Sequence, residues 1–207
     1  MQNDPDQYAI RPLDGQTWEA FARLVEKHHG VWGGCWCTWF HRSGTSPEHG
    51  ERTYERNRAC KERLVRGGRA HAALVFHGEH AVGWCEYGSP DELPNIYHRK
   101  QYLAEQAGPL PDYRITCFFV DRDYRRRGVA ARALAGALDL IAEAGGGVVE
   151  AYPHDTKGQK ANAAFLYSAT RGLFEKAGFT YDRPKGAKNC VMRRMVEPDP
   201  ARSEGRS

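Results

Sequence analysis

The segment from Ile115 to Ala144 constrains the fold more than any other part of this chain. Residues 115–120, Ile-Thr-Cys-Phe-Phe-Val, form a near-continuous apolar run, the pattern of a strand covered on both faces. A basic, glycine-bearing turn follows. After it comes an alanine-rich stretch, 130–144, in which Leu134, Leu138 and Ile141 make an apolar stripe at helical spacing. A strand that runs through a turn into such a helix implies a sheet with helices on its faces. From Asp121 to Arg132 the turn holds five arginines and two aspartates, so +3 of the chain's net +4 lies there. A helix N-terminus presents unpaired N–H groups and about half a positive charge. Gly128 and Ala130 let an anion approach the backbone, and the arginines add charge around it. The junction therefore suits a pyrophosphate. A solvated basic turn with an ordinary helix start is the alternative reading. The spacing is neither G-x-x-x-x-G-K-S/T nor G-x-G-x-x-G, which argues against an ATP or dinucleotide loop.

The remaining chain fits such a sheet. Residues 8–12 read as a short strand. Asp14 is expected to cap the next helix, whose Trp18, Phe21, Leu24 and Val25 share one face. Pro47 is expected to open a strongly charged helix that Gly67-Gly68 ends. Segments 70–76 and 81–87 flank a short glycine-containing turn and read as a hairpin. Residues 88–111 form a surface excursion with a helix around 96–107. Strands are expected at 148–152, 179–182 and 189–196, a polar loop at 153–163, and a short helix capped by Thr170 and ended by Gly178. The expected fold class is mixed α/β, with a central, mostly antiparallel sheet of about six to seven strands flanked by helices. At roughly 150 residues per domain, 207 residues make a single domain, 8–196, with disordered ends at 1–7 and 197–207.

Composition excludes several classes. No apolar run approaches the ~18 residues of a membrane span, so no membrane partner is expected. The first residues lack the basic start and apolar core of a secretory signal. Six cysteines in a core-rich chain read as reduced thiols, which points to a cytoplasmic location. The basic helix after Pro47 interleaves its acids, so it reads as a solvated face and no nucleic acid partner is expected. The oligomeric state stays open, a homodimer included.

Phe118-Phe119-Val120 followed by Arg125-Arg126-Arg127-Gly128-Val129-Ala130 resembles the acetyl-CoA motif of the GNAT superfamily of N-acetyltransferases, whose pattern there is Arg/Gln-x-x-Gly-x-Gly/Ala. Leu173 to Phe179, Leu-Phe-Glu-Lys-Ala-Gly-Phe, looks like that family's late helix ending in Gly-Phe. The resemblance is strong over about residues 70–196. It implies the acyl-CoA N-acyltransferase fold and acetyl-CoA as acyl donor, with no metal. The Phe118–Val120 backbone would pair with the pantetheine arm, and the N–H groups of Arg125 to Ala130 would hold the pyrophosphate. The thioester would lie between two splayed strands, near Val120 and Glu150. The implied activity is acetyl transfer to a primary amine of a small molecule by direct attack. A protein N-terminus or lysine as acceptor, or a non-catalytic acyl-CoA sensor, is the alternative.

Direct attack needs a base for the ammonium and, where the thiolate is reprotonated, an acid. Glu150, in Val-Val-Glu-Ala-Tyr, stands where several amine-acetylating relatives carry a glutamate, and is the first candidate base. A half-buried glutamate holds a proton more readily than an exposed one. A structural carboxylate paired with an arginine weighs equally. Glu86 is the second candidate, against an ordinary strand residue. Many relatives carry a tyrosine where Phe174 stands, so the acid would be absent or moved, with Tyr167 and Tyr152 as substitutes. An asparagine frequent after the fifth strand has Asp155 as its nearest match. Trp36, Cys37 and Trp39, in a tryptophan- and cysteine-rich segment, would wall an apolar, cation-attracting acceptor pocket. An aromatic plug between helices is the alternative. Cys35-x-Cys37 is too tight for the usual zinc pair. Cys117, inside the apolar strand, reads as core.

Overall fold

The computed structural model describes residues 8–41, 53–106, 108–155 and 167–203. Seven strands form one sheet: β1 (Tyr8–Pro12), β2 (His71–His77), β3 (His80–Gly88), β4 (Tyr113–Val120), β5 (Gly147–Ala151), β6 (Thr180–Lys185) and β7 (Asn189–Val196). Their order is β1-β2-β3-β4-β5-β7-β6. Every neighbouring pair is antiparallel except β4 and β5. The helices are α1 (Trp18–Lys27), α2 (Tyr54–Arg66), α3 (Arg99–Ala104), α4 (Val129–Glu143), α5 (Arg171–Lys176) and α6 (Pro200–Ser203).

The sheet divides the core into two layers. On one face α4 sets Ala133, Leu134, Ala137, Leu138 and Ile141 against Val75, Val82, Ile115 and Val149, and α5 adds Phe174. The other face takes α1 and the tryptophan-rich segment, with Trp18, Phe21, Trp36, Trp84 and Phe119 in contact. Alternation along β4 sends Ile115 and Phe118 one way and Cys117 and Phe119 the other. This is the two-sided burial expected of the apolar run.

Two features of β4 shape the site. Opposite Glu86 and Tyr87 of β3 stand Cys117 and Ile115, so Thr116 is an extra residue, a β-bulge. On its other side β4 pairs with β5 only from Tyr113 to Ile115. Beyond Ile115 the two strands part, and the β5-facing backbone of Thr116–Val120 lies outside that ladder.

Several boundaries differ from expectation. Asp14 serves the turn before α1, accepting from Gln16 N at 2.8 Å and Thr17 N at 3.0 Å, while Thr17 stands at the helix cap. Pro47 lies outside the described residues; α2 begins at Tyr54, its Thr53 hydroxyl accepting from Arg56 N. Most of the polar loop 153–163 also lies outside them. The tail expected to be disordered contains one helical turn, Pro200–Ser203. Thr170 sits at the α5 cap position without a side-chain cap bond.

Residues 28–37 are the most contorted stretch. His29, Val31, Trp32, Trp36 and Cys37 all adopt left-handed φ angles between 44° and 53°, which bulky and β-branched residues rarely do. Gly30, at φ 78°, explains part of this: a Cβ there would meet the Tyr54 ring at 2.7 Å and Gly34 Cα at 2.8 Å. The close coil brings Trp36 against Trp18 (6.1 Å between ring centroids) and Tyr54 (5.5 Å), and burial of these rings holds it.

Candidate active site

The site is built at the fork between β4 and β5. After Val120 the chain makes a 3-10 turn, Arg122–Tyr124, whose cap Asp121 accepts from Asp123 N at 3.1 Å. Asp121 is itself fixed by Lys27 Nζ at 2.7 Å. Arg125, Arg126, Arg127 and Gly128 are all exposed. Arg126 and Gly128 are left-handed, at φ 61° and 76°, and no side chain caps α4. A Cβ built on Gly128 meets nothing within 4 Å. The start of α4 is therefore exposed at Gly128, follows three exposed arginines, and carries no side-chain cap among the described residues. Val129 is buried beneath it and Ala130 half-buried. These residues fit a diphosphate: backbone N–H groups at a helix start, three adjacent cations and an unfilled approach to Gly128.

At the fork lies a cavity of about 160 Å³, lined by residues that include Phe40, Tyr97, Thr116, Tyr152, Tyr167 and Lys185. At ~30 Å³ per water it holds a handful of waters. Trp39 stacks on Tyr97 with 4.1 Å between centroids, so it backs the wall through that ring. Tyr167 packs near Tyr97 and Phe40, and burial pushes its hydroxyl well above the ordinary tyrosine range. It stays protonated at neutral pH.

Glu150 has a different environment from the half-buried one expected. It is wholly buried. Arg193 Nε donates to Oε1 at 2.7 Å, and the hydroxyls of Tyr102 and Tyr152 donate to Oε2 at 2.7 and 3.0 Å. It meets the cavity through Tyr152. The arginine-paired alternative describes its contacts, and the tyrosine bonds add a route to the cavity.

Glu86 stands apart from the cavity wall. Its carboxylate is buried in the core, accepting from Lys61 Nζ at 2.6 Å and Thr116 Oγ1 at 2.8 Å. Burial pushes this carboxyl up, but Lys61 and His41 together outweigh burial and hold it at about 2. Lys61 is buried too; burial pushes it down, and the Glu86 charge more than restores it. The His41 ring is kept neutral by burial and by Lys61. In that state Nδ1 donates to the Glu92 carbonyl at 3.0 Å and Nε2 accepts from Lys61 at 3.0 Å. Cys37 and Cys117 approach to 2.9 Å between sulfurs beside this pair, and burial raises the Cys37 thiol well above its usual range. Ligating atoms of Cys37, Glu86 and Cys117 lie within 4.8 Å of one another. The Lys61 ammonium already supplies the positive charge there.

Trp36 and Cys37 thus belong to the core rather than to a pocket wall, as the plug reading has it. Phe174 is fully buried between Phe118 and Phe179. The sequence reading missed Lys61, Lys185, Tyr97 and Ser168. For Lys61 a signal existed: Asn57, Lys61 and Val65 recur every four residues, and this stripe is the buried face of α2. Lys185 and Tyr97 carried none, because separate turns bring them together.

The order of the sheet, its one splayed parallel pair and the open arginine-rich start of α4 together define a mixed α/β acyltransferase fold. The model of the acetyltransferase (GNAT) family matches residues 34–179, and the chain belongs to that family. No curated protein matches the sequence. Among solved structures, a protein described as an acetyltransferase of the GNAT family from Desulfovibrio desulfuricans is similar at 17% identity and TM-score 0.50, over 91% of this chain and 99% of that one. A structure of histone acetyltransferase HPA2 and related acetyltransferase from Corynebacterium glutamicum is similar at 15% identity and TM-score 0.50, over 93% and 97%. The protein yncA from Salmonella typhimurium, described as an acetyltransferase and solved with its cofactor acetyl-CoA, is similar at 14% identity and TM-score 0.50, over 94% and 96%. At these identities the likeness is one of fold.

Proposed function

We propose that this chain is an acetyl-CoA-dependent N-acetyltransferase acting on the primary amine of a small molecule by direct attack. One observation carries the reading. The strand whose edge is released from β5 beyond Ile115 ends at the exposed helix start that follows three arginines, and a small cavity opens at the fork where release begins. Acetyl-CoA as substrate would place its diphosphate on the N–H groups of Arg125 to Ala130. Its pantetheine arm would lie along Phe118–Val120 as an added strand. The thioester then reaches Thr116.

The amine enters the cavity. Its proton passes to the Tyr152 hydroxyl as that hydroxyl's own proton moves to Glu150, along the 3.0 Å bond. The nitrogen attacks the thioester carbonyl carbon, the C–S bond breaks, the thiolate takes a proton from Tyr167, and the amide nitrogen gives its remaining extra proton back to the Tyr167 oxygen. The confined cavity favours a small acceptor over a protein segment.

Thiol release from acetyl-CoA across an amine panel tests the reading. Turnover is expected with at least one small amine, and silence across the panel despite firm CoA binding would leave a sensor instead. Glu150→Gln and Tyr152→Phe are each expected to lower kcat ~10²-fold, with KM for acetyl-CoA little changed. The double variant should be scarcely worse than either single one. Additive losses, or unchanged rates, would remove the relay.

A further inference from the structure

The cavity at the fork contains a cation that no described carboxylate pairs with. Lys185, at the end of β6, lines it and is only 4% exposed. Its ammonium donates to the Tyr97 carbonyl and lies 4.9 Å above the Tyr152 ring. Among the described residues, no carboxylate lies within ion-pair distance of it. The nearest acid, Glu150, is already held by Arg193. Arg114, 3% exposed, adds a further positive charge behind it. Three buried or half-buried cations thus face one carboxylate. Burial and Arg114 together lower the Lys185 ammonium to about 8, the response of a charge short of a counter-ion.

A second observation points the same way. Ser168 lines the same cavity, is 7% exposed, and its buried Oγ has no hydrogen-bond partner among the described residues. Buried hydroxyls are normally satisfied. A cavity with an ammonium that no described carboxylate pairs with and a hydroxyl without a described partner is complementary to a small anion that accepts from both.

We propose that Lys185 and Ser168 form a carboxylate-binding subsite, and that the acceptor is a small amine bearing a carboxylate, such as an amino acid. This rests on the N-acetyltransferase reading. One lysine and one neutral hydroxyl match a monoanion better than a phosphate dianion. Thr116 lines the same small cavity from β4, where the proposed thioester would reach, so the carboxylate would be held apart from the amine. The subsite orients the amine: a charge bonded at one wall fixes which end faces the carbonyl.

The test measures thiol release from acetyl-CoA with L-amino acids, each beside its α-carboxamide and its decarboxylated amine. At least one amino acid should exceed its amide in kcat/KM by about tenfold or more. Lys185→Met should remove that preference through KM, lowering kcat/KM for the amino acid by clearly more than for its amide. Ser168→Ala, the milder variant, should raise KM for the amino acid in the same sense. Equal rates for amino acids and amides, or a Lys185→Met variant that slows both alike, would overturn the subsite. Turnover confined to neutral amines would overturn it while leaving N-acetyltransfer standing. If no amine releases thiol, N-acetyltransfer fails, and thermal melting with CoA present decides the subsite. N-acetyl amino acids should then stabilise the wild-type chain more than N-acetyl amino amides do, with the difference lost in Lys185→Met, and equal stabilisation overturns it.

Discussion

Gly128→Glu is expected to weaken acetyl-CoA binding ~10³-fold while the chain still folds. A carboxylate placed about 4 Å from a diphosphate charge opposes it by ~4 kcal/mol at the effective dielectric of a protein surface, and each ~1.4 kcal/mol is a factor of ten. The fold should survive because a side chain at this position projects into open space. Some strain remains, since Gly128 is left-handed at φ 76° and other residues hold that angle at a cost of ~1–2 kcal/mol. Isothermal titration with CoA, alongside a melting curve, separates the two effects. Gly128→Ala is the control, with the strain but not the charge. If Gly128→Glu binds CoA as tightly as Gly128→Ala, the helix start is not the phosphate site.

The second large effect concerns stability. Lys61→Met is expected to lower stability by ~3–5 kcal/mol, because it leaves the Glu86 carboxylate buried and unpaired. For a chain of this size that is a fall in melting temperature of roughly 6–20 °C. Lys61→Met combined with Glu86→Leu should recover much of it, since two apolar side chains strand no charge. A single variant melting within 2 °C of wild type would show that water reaches Glu86. The same carboxylate makes the fold acid-sensitive. Held at about 2 against an ordinary 4.5, it contributes stability that is complete above about 4.5 and is lost as pH falls from there to about 2. The full contribution is on the order of 3 kcal/mol. Melting curves from pH 6 to pH 3 should fall more steeply in the wild type than in the double variant.

Both variants probe features that differ in how openly the sequence displays them. The Gly128 turn was legible because everything it needs is local. An apolar run, a glycine, consecutive arginines and a helical stripe lie within 30 residues, and each acts through its own backbone or its immediate neighbours. The hairpin and the final strands were legible for the same reason: period-two alternation and turn residues act over short range.

The Lys61–Glu86–His41 cluster was not legible as a unit. Glu86 reads as one more strand residue and Lys61 as one more charge on a basic helix, and their 2.6 Å bond exists only because α2 lies across that face of the sheet. Trp36 and Cys37 show the limit from the other side. Indoles and thiols suit a pocket wall and a core equally well, and only packing against Trp18, Phe21 and Tyr54 decides between them.

By itself, the sequence determined the mixed sheet, the βα junction and the family, because these follow from residue type at short spacing. The tertiary structure alone decided what surrounds each charge. It buried Glu150 among Arg193 and two tyrosines, and left Lys185 lining a small cavity with no described carboxylate at ion-pair distance. The strength and availability of a charge depend on burial and partners, and residues far apart in the chain set both.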